Sequence, residues 1–244
     1  MGLLLVGALA VAVAVAGYFG LRARDARREA FIRGYTFPKG LFDRLEKARP
    51  ELAFKDIALT SHALRQFFLA YLRSGRRYVS MPSQVADDLW HEFILYTRNY
   101  ELFCRQAFGG FLHHTPAVAL SADRPGNAGL RRTWWWCCRE EHIDPRRPSR
   151  LPLLFALDGK LGIADGFRYK ADCGQRPGQI GRDDGATTIY CGTSFGDSAF
   201  DGSGDGFGDF DVPGPGTSGD VGFTDAGSSD GGSCGGGCGG GGGD

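Results

Sequence analysis

The first 21 residues, MGLLLVGALAVAVAVAGYFGL, carry no charged side chain. About 20 apolar residues suffice to cross a hydrocarbon core as a helix, and in lipid a lone segment must satisfy its backbone internally, so a helix is the one form open to it. Arg22, Arg24, Arg27 and Arg28 all follow the run, whereas a cleavable secretory signal carries its positive charge in front. The small residues of "AVAVAGYFG" suit a cleavage site, which keeps a processed signal as the alternative. Residues 1–21 are therefore expected to be a transmembrane anchor and 22–36 a basic juxtamembrane linker. The excess of arginine on one side then places everything after it in the cytoplasm, in a single-pass membrane protein.

The other end is equally distinct. From residue 192 to 244 the sequence turns to Gly, Asp and Ser with scattered Phe, closing on GGSCGGGCGGGGGD. Such a segment buries too little apolar surface to offset its backbone entropy and is expected to be a disordered tail. It has no Arg or Lys after Arg182, unlike basic RNA-binding tails, and its acids repel phosphate. Phe195, Phe200, Phe207, Phe210 and Phe223 would serve as weak contact points for a protein partner, or the segment is a solubilising spacer. The formal net charge is zero, so no global basic field recruits nucleic acid. A basic face built from Arg65, Arg73, Arg76 and Arg77 is the one feature that would reverse this. The 7 cysteines are an odd count at irregular spacing, unlike the disulfide framework of a small secreted domain; free thiols suit a reducing compartment.

Between the ends the chain reads as mainly α. PKGLFDRLEKARPEL gives a short helix with Leu41, Phe42, Leu45 and Ala48 inward and Pro50 as its limit. TSHALRQFFLAYLRSG places Leu64, Phe67, Phe68, Tyr71 and Leu72 on one helical face, with Thr60 or Ser61 as N-cap and Gly75 at the stop. A third helix starts at Ser80 or Ser83 and ends at Gly109 and Gly110. These make a small helical bundle over 37–116. Residues 117–129 read as a linker. A compact α+β or irregular second region spans 130–191, in which LPLLFAL and LGI flank DGK as a strand pair or LPLLFAL forms a buried helical turn.

DDLWHEFILYTRNYELFCRQAFGGFLHH, residues 87–114, concentrates the potential chemistry. Asp87 and His91 stand at i and i+4, one turn apart on one helix face, a geometry for a shared metal or for an Asp orienting an imidazole. Cys104 lies about 20 Å further along a straight helix and cannot share that metal. His113 and His114 lie beyond the glycine pair, where GGFLHH can fold back toward His91 or toward Cys104. "HEFIL" lacks the second histidine of the HExxH zinc-protease helix, because residue 95 is Leu. Cys104 with a histidine would make a thiol nucleophile, but among Phe and Tyr it reads as a core thiol.

WHEFILYTRNYELFC followed by FGGFLHHTP resembles the segment shared by the glycine-rich domain-containing protein-like family. The likeness covers about residues 37–116 and rests on Trp90, His91, Tyr100, Cys104, Gly109 and His114 at family spacing. That pattern has a second histidine where Phe93 stands and an aspartate where Phe103 stands. The resemblance implies a helical module and no particular reaction. The tail is similar in composition to the Gly/Cys-rich ends of assorted bacterial membrane proteins, and its Cys234 and Cys238 could hold a soft metal.

WWWCCREEH brings Cys137, Cys138 and His142 together, with Cys173 and Cys191 at long spacing. One of the vicinal pair with His142, Cys173 and Cys191 would suit a structural zinc; the competing reading is buried thiols beside a tryptophan cluster. Trp134, Trp135 and Trp136 form a core cluster or, with Arg131, Arg132 and Arg139, a membrane-interface belt. With no complete catalytic set in view, the expected function is a membrane-anchored, non-catalytic interaction or scaffold protein whose tail or helical module binds a protein. The competing class is a metal-dependent enzyme or metal-binding protein using Asp87, His91 and His113 or His114, with zinc the suitable ion.

Overall fold

The computed structural model describes residues 2–114, 128–174, 181–182 and 188–196. Seven helices are seen among them: α1 (Gly2–Gly34), α2 (Leu41–Ala48), α3 (Phe54–Arg73), α4 (Gln84–Leu95), α5 (Thr97–Phe108), α6 (Ala128–Glu140) and α7 (Leu153–Leu161). Strands β1 (Arg168–Lys170), β2 (Gly181–Arg182) and β3 (Thr188–Cys191) form a small sheet in the order β1-β3-β2, β1 parallel and β2 antiparallel to β3. A 3-10 turn, Gly192–Phe195, follows.

α1 is long and apolar enough to cross a membrane, a property that a signal sequence near the N-terminus shares. Its apolar part stands clear of the fold, with Leu5 69 % and Phe19 64 % exposed. The juxtamembrane linker expected over 22–36 is corrected here: the helix continues without a break to Gly34 and buries Ile32 completely. Its arginines and alanines favour helix, and α3 and α5 receive its last turns. Arg33 pairs with Glu140 of α6, and Arg73 of α3 pairs with both Glu29 of α1 and Glu140.

α3 starts well before Thr60. Ala53 is its N-cap, and its backbone N–H donates to Asp56 Oδ2 at 3.0 Å. The hydroxyls of Thr60 and Ser61 instead donate to the helix carbonyls of Asp56 and Ala58. The expected stop is present, Gly75 taking a positive φ of 75°. Of the two readings of LPLLFAL the helical one is seen: α7 starts at Leu153, after Pro152 as N-cap, and runs through DGK to Leu161. The N–H groups of Leu153 and Leu154 donate to Glu141 Oε1 and Gln66 Oε1, so α3 and the end of α6 cap α7.

α6 packs across α3, and Leu130, Trp134 and Cys137 join the same hydrophobic cluster as Phe67, Phe68 and Phe103. The module of 37–116 and the second region of 130–191 therefore share one core. That core also extends past residue 191. Phe195, read as a tail contact point, is buried against Trp134 (centroids 5.8 Å) and Phe155 (6.1 Å), and Gly192 lies so close to the Trp134 ring that a Cβ there would overlap it. Trp134 is fully buried, its indole N–H donating to Pro145 O at 3.0 Å, which makes it a core residue and not part of a membrane belt. The described residues fall in one unit, Met1–Gly208; of the linker expected over 117–129, residues 128 and 129 begin α6 and the others lie outside the described residues, as do the rest of the tail, Cys234 and Cys238.

Candidate metal centre

Helix α4 is fixed at its N-terminus by two side chains. Ser83, of the two expected caps, accepts from Ala86 N–H at 3.3 Å. The buried carboxylate of Asp158 on α7 accepts from Ser83 Oγ (2.7 Å), Gln84 N–H (2.7 Å), Val85 N–H (3.3 Å) and Phe167 N–H (2.9 Å). A carboxylate at this position also complements the positive end of the helix dipole. Arg49 adds a tie, donating to Asp88 Oδ2 at 2.8 Å and bidentately to Asp165 at 2.7 and 2.8 Å. That pairing holds the Asp165 carboxyl below the usual range. The first turn of α4, which carries Asp87, is thus anchored from several directions.

The long helix expected over 84–108 breaks at Tyr96 (φ −81°, ψ 59°) into α4 and α5. α5 ends at Gly109, whose positive φ of 78° suits glycine, with its N–H donating to the Cys104 and Arg105 carbonyls. The chain then folds back along the bundle. Trp90 Nε1–H donates to Tyr100 Oη at 3.1 Å, and the Tyr100 hydroxyl donates to Leu112 O at 2.6 Å. Burial pushes the Tyr100 phenol well above its ordinary pKa, so it remains a donor at any neutral pH.

This tie carries His114 to the face of α4. Its Nε2 lies 3.1 Å from Asp87 Oδ1, and its ring packs edge-on to Trp90 with centroids 4.7 Å apart. His91 Nδ1 lies 3.7 Å from Asp87 Oδ2, and the two imidazole centroids are 4.1 Å apart. One ligand atom from each of Asp87, His91 and His114 falls within 4.8 Å of the others. Side-chain exposure grades from 8 % at Asp87 and 13 % at His114 to 50 % at His91. Zinc ligands at about 2.0–2.1 Å in tetrahedral array sit about 3.3 Å apart. The Asp87 pairs are near that spacing, and His91, half in solvent, has the freedom to close the remaining gap.

His113 does not belong to the group; it is exposed and lies beside Phe111, centroids 4.9 Å apart. Glu92 is held by Arg44. Cys104 is buried, its thiol pushed up by that burial, and it lies with Tyr100 and Leu112 in the core. Phe93 and Phe103 are fully buried core rings, 5.4 Å apart.

The proposed zinc set of the second region does not assemble. Cys173 and Cys191 form a disulfide with each other. Cys137 and Cys138 are buried free thiols, both pushed up by burial, and His142 is exposed at the end of α6 with a φ of 57°. A vicinal pair on a helix points its thiols in different directions, and here both directions lead into apolar packing. The basic face expected from Arg65, Arg73, Arg76 and Arg77 loses two of its four members: Arg65 donates to Tyr35 O at 2.9 Å and to Ser61, and Arg73 is committed to Glu29 and Glu140.

No curated protein and no solved structure matches the chain. The sequence model of the UCP032817-like family matches residues 27–195, spanning the helical module, the second region and the base of α1. This overturns the resemblance to the glycine-rich domain-containing family, which rested on 37–116 alone. The matched stretch begins in the docked part of α1 and ends at the buried Phe195, the limits of the shared core, and the chain accordingly belongs to the UCP032817-like family.

Proposed function

We propose that this protein is a membrane-tethered metal-binding protein in which Asp87, His91 and His114 hold a divalent transition ion of the zinc type. The observation that carries this reading is the convergence of one carboxylate and two imidazoles at the mouth of a buried aromatic cluster. Two nitrogens and one oxygen suit zinc, and three protein ligands leave a coordination position for water or another small ligand. A role in binding a protein through the tail rests on residues outside those described and gains no support from the geometry. The test is metal content by mass spectrometry on the full chain purified in detergent. About one zinc per chain is expected in the wild type and in His113→Ala, and loss of it in Asp87→Ala and His114→Ala; equal metal in all four would refute the site.

The arginines after the apolar run favour the cytoplasmic face for the folded part, while a Cys173–Cys191 disulfide favours an oxidising compartment. We keep the cytoplasmic orientation, because the arginine bias acts on insertion itself, before any thiol meets an oxidant. The Cys173–Cys191 disulfide then belongs to the chain once it has met an oxidant, and acid-quenched cells alkylated before lysis should yield both residues as thiols. Recovery of the disulfide from such cells would reverse the orientation.

A further inference from the structure

Where α1 leaves its apolar stretch, the cations divide into two groups. Arg33 and Arg73 are neutralised, held in a network with Glu29 and Glu140. Arg28, little more than a turn before Arg33, stands outside it. Its guanidinium lies over Gly109 at the end of α5, so close that a Cβ on that residue would overlap it. Arg28 Nη1 is buried and has no hydrogen-bond partner, and the carboxylate nearest it, Asp25, is 4.0 Å away. The charges that act on Arg28 include two further cations, Arg76 and Arg24, against the single anion Asp25. Arg76 is exposed on the turn after α3, with a φ of 65° and its backbone N–H donating to Tyr71 O at 3.0 Å. The positive φ is costly for a residue with a Cβ, and this turn imposes it on Arg76.

Depth along α1 identifies what such a cluster faces. Arg28 lies seven residues past Leu21, the last apolar residue of the uncharged run. At the rise of an α-helix this is about 10 Å, just past a headgroup layer of about 5–8 Å on each side of a hydrocarbon core, with Arg24 inside that layer at about 4–5 Å. α1 is continuous across this interval, so the docked core holds the cluster at that level. We propose that Arg28 and Arg76, with Arg24, seat the phosphate of an anionic phospholipid headgroup where α1 emerges from the bilayer. A guanidinium presents paired donors that match phosphate oxygens, and the exposed guanidinium groups of Arg24 and Arg76 offer theirs at the surface while the covered Arg28 adds its charge. Anionic leaflets draw basic juxtamembrane residues to this depth. The site is independent of the metal centre.

Native mass spectrometry of the full chain released from detergent tests this with phosphatidylglycerol and phosphatidylcholine of equal chain length. The wild type is expected to retain one phosphatidylglycerol at least fivefold in preference to phosphatidylcholine. Arg28→Gln/Arg76→Gln should lose the preference, Arg28→Lys should keep part of it, and Lys160→Gln on α7 should leave it unchanged. The exposed Arg76→Gln alone should lower it, and gives the readout if the double variant melts early. Equal preference in the wild type and in Arg76→Gln overturns the proposal. So does full displacement of the lipid by 10-fold excess inorganic phosphate, which would assign the cluster to a free anion.

Discussion

Among single residues, Asp158 bears most on the geometry of the metal centre without touching it. Four donors converge on its buried carboxylate, three from the start of α4 and one from the entry to β1. An amide in its place would turn a donor toward donors. Asp158→Asn should therefore destabilise the fold by about 2–4 kcal/mol, read as a lower midpoint in denaturant for the full chain in detergent. This residue was not legible in the sequence. In LPLLFALDGK the dipeptide Asp158-Gly159 has the look of a hairpin turn, and only the helical course of α7 turns the carboxylate toward α4. The i, i+4 relation of Asp87 and His91 was legible, because it needs no more than helical spacing. The choice between His113 and His114 was not, since it depends on which side of an extended segment faces the bundle.

Elements decide that choice. Leu112 is buried and its carbonyl takes the Tyr100 hydroxyl, so with alternation along the extended stretch His113 faces out and His114 returns to α4. Tyr100→Phe removes that tie and strands both Leu112 O and Trp90 Nε1. Zinc affinity should fall about 10-fold, in the range seen when groups that orient a ligand are removed, while His114 itself remains; competition with a chromophoric chelator measures it. Unchanged affinity would mean that packing on Trp90 alone positions the imidazole. The helices themselves followed from apolar periodicity, which is why α2, α3 and the inward faces of α4 and α5 were legible. Their limits were not, because the deciding interactions are tertiary or compete locally. The Thr60 and Ser61 hydroxyls bond to their own helix instead of capping it. Tyr96 interrupts a run whose apolar pattern continues through it, with its hydroxyl near Lys39 O (3.4 Å) and the Arg44 guanidinium 5.9 Å from its ring.

On the scale of the whole molecule, one charged network joins the anchor to both halves of the core. Glu140, at the end of α6, accepts from Arg33 of α1 and Arg73 of α3, and Arg73 also holds Glu29 of α1. Nothing in local sequence pairs residues 107 positions apart; the ion pairs exist because α1 continues as a helix past the apolar run and α6 crosses α3. Burial opposes ionisation of Glu140, but the two guanidinium groups outweigh it and hold the carboxyl below its ordinary range. A carboxyl whose pKa is depressed on folding stabilises the fold above its unfolded value of about 4.3 and loses that contribution as pH falls through the folded value. Glu140 is largely covered, at 16 % side-chain exposure, whereas Arg33 is 46 % exposed and partly screened by water. Glu140→Gln should therefore cost about 1–2 kcal/mol at pH 7, less than a fully buried pair would. The difference between wild type and variant isolates this group from other carboxyls titrating in the same window. It should shrink steadily below pH 4 in chemical denaturation of the full chain in detergent. A gap that stays constant down to pH 3 would mean that Glu140 holds α1 to the core by its shape and not by its charge.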